Sequence, residues 1–316
     1  MAENENIVIG DWSAINLYLH NTCSFLNNGP DAVNPLDSCA TTSEGLHAFN
    51  TENPLYGGMP VELLVPRLDY RRRSKEITCH TVGYDLPPFA FYQLRPGLHI
   101  ASPELAYARM GRMNRGIIEL AEIATNLCGR YYIDSAGKIQ DRPFYITTPE
   151  RLARFLAQVK GMDGATKAAK ALKLAMPNSG SPFETKSMLQ FCVPMSKGGV
   201  KLPFKVMNYD IRAGRCAGLL SQNYFCLDLA DPDIKFGLEY NGDESHDDPA
   251  KDIRRRNELM ILDWTIFPID RNVLYNPGAT VRTAKQLAKH MGVRFRPTDN
   301  WYEAFAQLRK ELDLPF

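Results

Sequence analysis

The alternation of apolar and polar residues divides the chain into short strands and amphipathic helices in mixed order. Strands are predicted where brief apolar runs lie between turn residues, as at 61–65, 76–82 and 224–229. Helices are predicted where apolar residues recur every three or four positions, as at 11–19. Mixed strands and helices of this kind predict an α/β fold class.

Several helices are predicted from the residues that begin them. Ser102 stands before Pro103 as a hydroxyl N-cap, and Thr147-Thr-Pro-Glu150 has a similar arrangement. Ser181-Pro-Phe-Glu184 fits a capping box, in which the glutamate bonds back to the N-cap amide. Further helices are predicted at 115–128, 164–176, 252–262, 280–290 and 301–312.

A polar segment, Pro177-Asn-Ser-Gly-Ser181, is the predicted boundary between two parts of the chain. With 316 residues and 44% hydrophobic content, the protein can build two cores. We therefore expect an α+β region over residues 1–176 and a second domain over 177–316. Residues 1–60 carry no chemistry that we can assign.

Composition excludes several functional classes. The first residues are acidic, and no apolar run approaches the roughly 18 residues of a membrane span, so we expect a cytoplasmic protein without a membrane partner. The seven scattered cysteines include no CxxC pair, which argues against a disulfide framework and a zinc knuckle. A net charge of +1 means that nucleic-acid binding would depend on local basic patches.

The candidate chemistry is concentrated at 224–246, where a carboxylate interrupts each of two neighbouring apolar strands. Asp228 lies in the first strand and Glu239 in the second, with Asn241 on the same face as Glu239 because side chains alternate. Two carboxylates at adjoining strands suit Mg²⁺, which completes its octahedron with water and substrate phosphate. The alternative is structural, with Asp228 capping a turn and Glu239 paired with an arginine.

The order of these residues resembles a known nuclease group. Asp228, Gly-Leu-Glu239-Tyr-Asn241-Gly, His246, Asp252, Arg256 and the run 259–267 are similar to endonuclease-like domains related to very-short-patch-repair endonucleases. These belong to the PD-(D/E)xK, or restriction-endonuclease-like, superfamily, and the resemblance covers about 181–269. It implies a mixed sheet flanked by helices, with Asp228 and Glu239 binding Mg²⁺ or Mn²⁺ and DNA as the partner.

The resemblance also implies roles for other residues, each with a structural alternative. Glu184 would lie near the metal-bound waters, or would only cap its helix. His246 would orient water or act as a general acid, or would be exposed in a polar loop. Arg256 matches the position of a phosphate contact.

One position departs from the superfamily pattern. Asn241 stands where the general motif has lysine, and an amide has no ammonium group to stabilise charge. Two functions therefore remain open: a Mg²⁺-dependent DNA endonuclease of a defence or repair system, and a non-catalytic DNA- or protein-binding module of a toxin–antitoxin or defence system.

The densest basic segment lies in the first part of the chain. Arg71, Arg72 and Arg73 can bind a phosphate backbone, or can form a solvated hairpin loop. This turn, the strand 61–65 and the helix start at Ser102 together resemble the middle domain of AbiEi-type antitoxin and regulator proteins. The winged helix common in those proteins is not evident here.

Overall fold

The computed structural model describes residues 6–39, 60–71, 75, 77–241 and 249–315. The chain forms two compact units, Met1–Lys173 (unit 1) and Leu174–Phe316 (unit 2). The boundary predicted after residue 176 lies just beyond this division. Helices and strands follow one another in mixed order in both units, which confirms the predicted α/β class.

Unit 1 contains a five-stranded mixed sheet in the order β3-β2-β1-β5-β4. β1 pairs in parallel with β5 and antiparallel with β2, and β2 pairs in parallel with β3. A separate hairpin is formed by β6 and β7. The strands are β1 (Ile7–Ile9), β2 (Val61–Val65), β3 (Ile77–Thr81), β4 (Phe91–Arg95), β5 (Leu98–Ala101), β6 (Tyr131–Ile133) and β7 (Ile139–Asp141).

The helices of unit 1 begin where the sequence predicted them. Ser102 Oγ accepts a hydrogen bond from the Leu105 amide, and Thr148 Oγ1 accepts one from the Arg151 amide. Each hydroxyl thereby satisfies an otherwise unpaired amide of the first helical turn. The helices are α1 (Asp11–Leu19), α2 (Pro103–Met110), α3 (Ile117–Leu127), α4 (Pro149–Gln158) and α5 (Ala165–Leu172).

Unit 2 is built on a four-stranded mixed sheet in the order β11-β10-β9-β8. β8, β9 and β10 are antiparallel neighbours, whereas β10 and β11 are parallel. Its elements are α6 (Pro182–Cys192), β8 (Val206–Arg212), β9 (Tyr224–Asp231), β10 (Phe236–Asn241), α7 (Pro249–Ile261), β11 (Thr265–Asp270), α8 (Arg271–Tyr275), α9 (Pro277–His290) and α10 (Asp299–Glu311). A parallel pair needs a crossover connection, and α7 lies in it.

The core of unit 2 explains why the polar residues of β9 are few. Phe225 and Leu227 are buried in a cluster with Leu259 of α7 and with Trp264, which immediately precedes β11. Cys226 and Asp228 alternate with these two core residues along the strand, and both are only partly buried.

Several elements were absent from the sequence predictions, among them β1, β4, the β6–β7 hairpin and α8. β1 contains only three residues, and the β6–β7 hairpin has exposed positions on β7. Neither segment is long enough for a period of two to stand out. Among the described residues, no helix has the length and apolar character needed to cross a membrane.

Candidate functional site

Asp228 lies where the ladder between β9 and β10 ends. The paired positions run from Phe236 opposite Asp231 to Leu238 opposite Leu229, and Asp228 and Glu239 come directly after the last pair. At this point Asp228 Oδ2, rather than a backbone carbonyl of β9, accepts the hydrogen bond of the Tyr240 amide at 2.7 Å. Asp228 and Glu239 line the same cleft, and the charge of Glu239 acts on the Asp228 carboxyl, so the two carboxylates belong to one site.

Glu239 is held by an arginine of α7. The Arg255 Nε lies 3.2 Å from Glu239 Oε1, and Arg255 Nη2 bonds to the same oxygen. Arg255 Nη2 also donates to the Cys226 carbonyl at 2.6 Å, which ties the guanidinium to β9. The structural alternative for Glu239, pairing with a nearby arginine, is therefore what this structure contains, and the partner is Arg255.

Asp228 has an unfavourable environment for its negative charge. Burial raises the pKa of Asp228 well above its usual range, and the charges of Glu184 and Glu239 raise it further. The Tyr240 amide and the Arg255 guanidinium oppose this shift in pKa without cancelling it. Burial, more than the neighbouring carboxylates, thus disfavours the ionised form of Asp228, and a bound cation would favour that form.

Glu184 contributes to this charge from the first turn of α6. Its amide donates to Ser181 Oγ at 3.1 Å, and its Oε2 accepts from the Gly180 amide at 2.8 Å. The capping box is thus displaced by one residue, because the acceptor reaches Gly180 and not the Ser181 amide. Asn208 of β8 also donates to Glu184 Oε2, at 2.6 Å, so the carboxylate is fixed beside the sheet.

A cleft of about 750 Å³ lies over the two strand carboxylates. Asp228, Glu239 and Asn241 line its side formed by the sheet. The side formed by α7 carries basic residues, namely Lys251, Arg254, Arg255 and Arg256. Acidic groups at the base and basic groups on one wall allow the same cleft to hold a cation and a phosphate.

Ser221, which also lines the cleft, is bonded to α7 through Glu258. Its Oε1 accepts from the Ser221 amide at 2.7 Å, and its Oε2 accepts from Ser221 Oγ at 3.0 Å. Glu258 is buried and bonded at both oxygens, so we regard it as a structural carboxylate.

The carboxylates do not form a closed metal cage. Among the described residues, no group of three or more His, Cys, Asp or Glu side chains is arranged to hold a metal ion. A cation in this cleft would therefore take Asp228 and Glu239 as its protein ligands and water or phosphate oxygens for the rest, which suits Mg²⁺. Glu184 acts on such a site through its charge.

The structure separates the other predicted residues. Arg256 lines the cleft and is exposed, whereas Arg71 belongs to unit 1, where its Nε donates to the Cys79 carbonyl at 3.2 Å. Arg72, Arg73 and His246 lie outside the described residues. Sequence reasoning selected Arg256 from the run 254–256 and missed Arg255, since neighbouring helical residues point in different directions and the position of α7 decides which one faces Glu239.

The fold and this cleft define an α/β protein whose second unit sets two strand carboxylates against a basic helix. Two relatives were found, both in Mycobacterium tuberculosis: "Uncharacterized protein Rv2248" of strain H37Rv and "Uncharacterized protein MT2308" of strain CDC 1551 / Oshkosh. Each is 25% identical over 262 residues, which cover 80% of this chain and 80% of the relative. No protein-family model matches the chain, and no solved structure matches it.

Proposed function

We propose that unit 2 is a metal-dependent DNA endonuclease domain of the restriction-endonuclease-like kind, acting in defence or repair. The order of its elements supports this proposal: α6 precedes three antiparallel strands, and α7 leads to a parallel fourth strand. The expected mixed sheet flanked by helices has its two candidate ligands on adjacent strands, β9 and β10.

The observation that carries the proposal is the unfavourable environment of the Asp228 carboxylate in a cleft. A purely structural carboxylate is normally neutralised by its partners, because an unpaired buried charge is costly. Asp228 instead has its pKa raised by burial, Glu184 and Glu239, at the base of a cleft with a basic wall. A carboxyl group in a cleft whose pKa is shifted by burial and by specific charged neighbours is a candidate for a functional site.

The residues of the cleft divide the work as follows. Asp228 and Glu239 hold the cation, which when bound supplies Lewis-acid stabilisation and a more acidic water. Arg256 and Asn241 position the phosphate, and Arg255 exchanges part of its interaction with Glu239 for phosphate oxygens. Glu184 or His246 orders the attacking water in this proposal.

Glu239→Gln tests the proposal, because it keeps the size and polarity of the side chain and removes the charge. We expect plasmid or single-stranded DNA cleavage in Mg²⁺ or Mn²⁺ to be lost, together with the metal-dependent rise in melting temperature. Arg255 retains an amide oxygen as acceptor, so the metal-free variant should lose only about 1–2 kcal/mol of stability.

Glu303→Gln is the matched control, since Glu303 is an exposed carboxylate of α10 that does not line this cleft. It should cleave DNA and respond to metal as the wild type does. A wild-type protein that neither cleaves DNA nor gains stability from Mg²⁺ or Mn²⁺ would end the enzyme hypothesis.

A second function is favoured by two specific observations. Asn241 replaces the lysine of the general motif, and Arg255 already occupies Glu239. A non-catalytic module that binds DNA through α7 fits these features. In that case the wild type should bind DNA without cleaving it, and the double variant Arg254→Gln, Arg256→Gln should weaken binding and reduce its salt dependence by about two phosphate contacts.

A further inference from the structure

Unit 1 contains a second cavity, of about 340 Å³, that the proposed nuclease function does not use. One face of α4 lines it with Arg151, Arg154, Phe155 and Gln158. Their spacing is that of one helical face, which directs all four side chains to the same side. The opposite walls come from the turn before β4 and from β4 itself, through Phe89 and Tyr92.

The base of this cavity contains a fixed acceptor. Glu104 of α2 is only 5% exposed, and its Oε1 accepts a hydrogen bond from Thr147 Oγ1 at 2.6 Å. Arg151 Nε lies 3.0 Å from the same oxygen, and Arg151 Nη2 donates to Tyr92 Oη at 3.3 Å. A carboxylate offers about four acceptor positions, so Glu104 has capacity for a donor on a ligand.

The rim of the cavity adds a cation and an aromatic ring. Arg154 is exposed, one helical turn beyond Arg151, whose charge is already paired with Glu104. Phe89 is 64% exposed although it lines the cavity, and its φ is +75°. A phenylalanine in this left-handed region is strained, and such strain persists where the surrounding structure or a function requires it.

We propose that this cavity binds a nucleoside monophosphate. The base would lie against the faces of Phe89 and Phe155, its N–H groups would donate to Glu104, and the phosphate would pair with Arg154. The volume is within the range of small-molecule sites, and the combination of apolar walls with few convergent polar groups is typical of them. Arg154 and Glu104 both line the cavity and carry opposite charges, which suits a ligand with a donor edge and an anionic tail.

Calorimetric titration of the full-length protein with the four ribonucleoside monophosphates tests the proposal, with adenosine as the neutral counterpart of AMP. At least one monophosphate should bind saturably at millimolar concentration or below. With AMP as ligand, Arg154→Gln should weaken binding by about tenfold, the loss expected for one charge-assisted contact, and should leave adenosine binding unchanged. Arg130→Gln removes an exposed arginine outside the cavity and should change neither.

Phe89→Gly separates a binding role from a folding role. Glycine accepts the positive φ, so thermal stability should be kept or increased, whereas binding of both AMP and adenosine should fall because the ring is gone. Saturable binding by none of the four monophosphates would overturn the proposal. The same holds if Arg154→Gln has no more effect than Arg130→Gln, or if Phe89→Gly binds as tightly as the wild type.

Discussion

At the scale of single residues, Asp228 shows how neighbours rather than residue type determine chemistry. Asp134 of unit 1 is also an aspartate, but hydrogen bonds from the Lys138 amide and the Gln140 side chain lower its pKa. Burial and two carboxylates raise the pKa of Asp228 instead. The ionised form is therefore favoured by folding at Asp134 and disfavoured by folding at Asp228.

The pH dependence of stability follows from these opposite directions. In the unfolded chain an aspartate titrates near about 3.9, whereas native Asp228 keeps its proton to higher pH, so its contribution to stability is lost as the pH rises through the native pKa. Asn cannot ionise, so Asp228→Asn should not lose stability as the pH rises. In the presence of a chelator, its free energy of unfolding at pH 7 should exceed that of the wild type by about 1 kcal/mol or more.

Chemical denaturation of the wild type and of Asp228→Asn measures this effect. The pH should run from about 4, near the usual aspartate pKa, to about 8. Asp134→Asn is the contrasting variant. It should lose the stability that ionised Asp134 contributes above its usual pKa, because its pKa is lowered by folding. An Asp228→Asn protein that is less stable than the wild type at neutral pH would contradict the environment described for Asp228.

Arg255 has a separate prediction, because it competes with a cation for Glu239. Arg255→Gln should lower the stability of the metal-free protein, since it leaves Glu239 and Asp228 facing each other without the guanidinium. The same change should increase the stabilisation produced by Mg²⁺, measured as the shift of melting temperature with metal concentration. If Mg²⁺ stabilises Arg255→Gln no more than it stabilises the wild type, Arg255 does not compete with a cation for Glu239.

At the scale of elements, the helices begin at short polar signals and depend on them. Ser102 is fully buried and accepts the Leu105 amide, and Pro103 follows at the first helical position. Ser102→Ala should cost about 1 kcal/mol or more, because the amide loses its acceptor in a buried position. Ser135→Ala, at an exposed turn position, should cost close to nothing, and denaturation curves of the two variants compare them directly.

The last helix of unit 2 contains a buried arginine that makes several hydrogen bonds. Arg309 of α10 is fully buried and donates to the carbonyls of Leu274, Tyr275 and Pro315 and to the side chains of Gln190 and Thr280. Burial lowers the pKa of Arg309 to about 10, so the guanidinium stays protonated at neutral pH.

Arg309→Met should destabilise unit 2 by about 3 kcal/mol or more, since several buried acceptors lose a charged donor. Lys310→Met, at the exposed neighbouring position, is the control. Denaturation followed by tryptophan fluorescence detects the difference, because Trp264 and Trp301 are both buried in this unit. Equal stability of the two variants would mean that the hydrogen bonds of Arg309 do not stabilise unit 2.

At the scale of the whole molecule, the division between Lys173 and Leu174 has a direct consequence. Each unit has its own sheet and its own buried residues, so each should fold alone. A fragment of residues 174–316 should unfold cooperatively and retain the metal response and DNA binding of the full chain, measured by melting with and without Mg²⁺. A fragment without a cooperative transition would show that unit 2 depends on unit 1.

By itself, the sequence determined the fold class, the helix starts at Ser102, Thr148 and Ser181, and the strands that carry Asp228 and Glu239. These properties depend on local patterns: an apolar period, a hydroxyl side chain before a proline, and alternation along a strand. The short strands β1, β6 and β7 have too few residues for such a pattern, and they are specified by their pairing partners instead.

Only the tertiary structure decided what surrounds the two carboxylates. The packing of α7 against β9 and β10 selects Arg255, not Arg256, as the partner of Glu239. Burial and the charge of Glu184, whose carboxylate accepts a hydrogen bond from Asn208 of β8, raise the pKa of Asp228. Interactions between residues far apart in sequence leave no local period, and the charge of a site is the sum of such interactions.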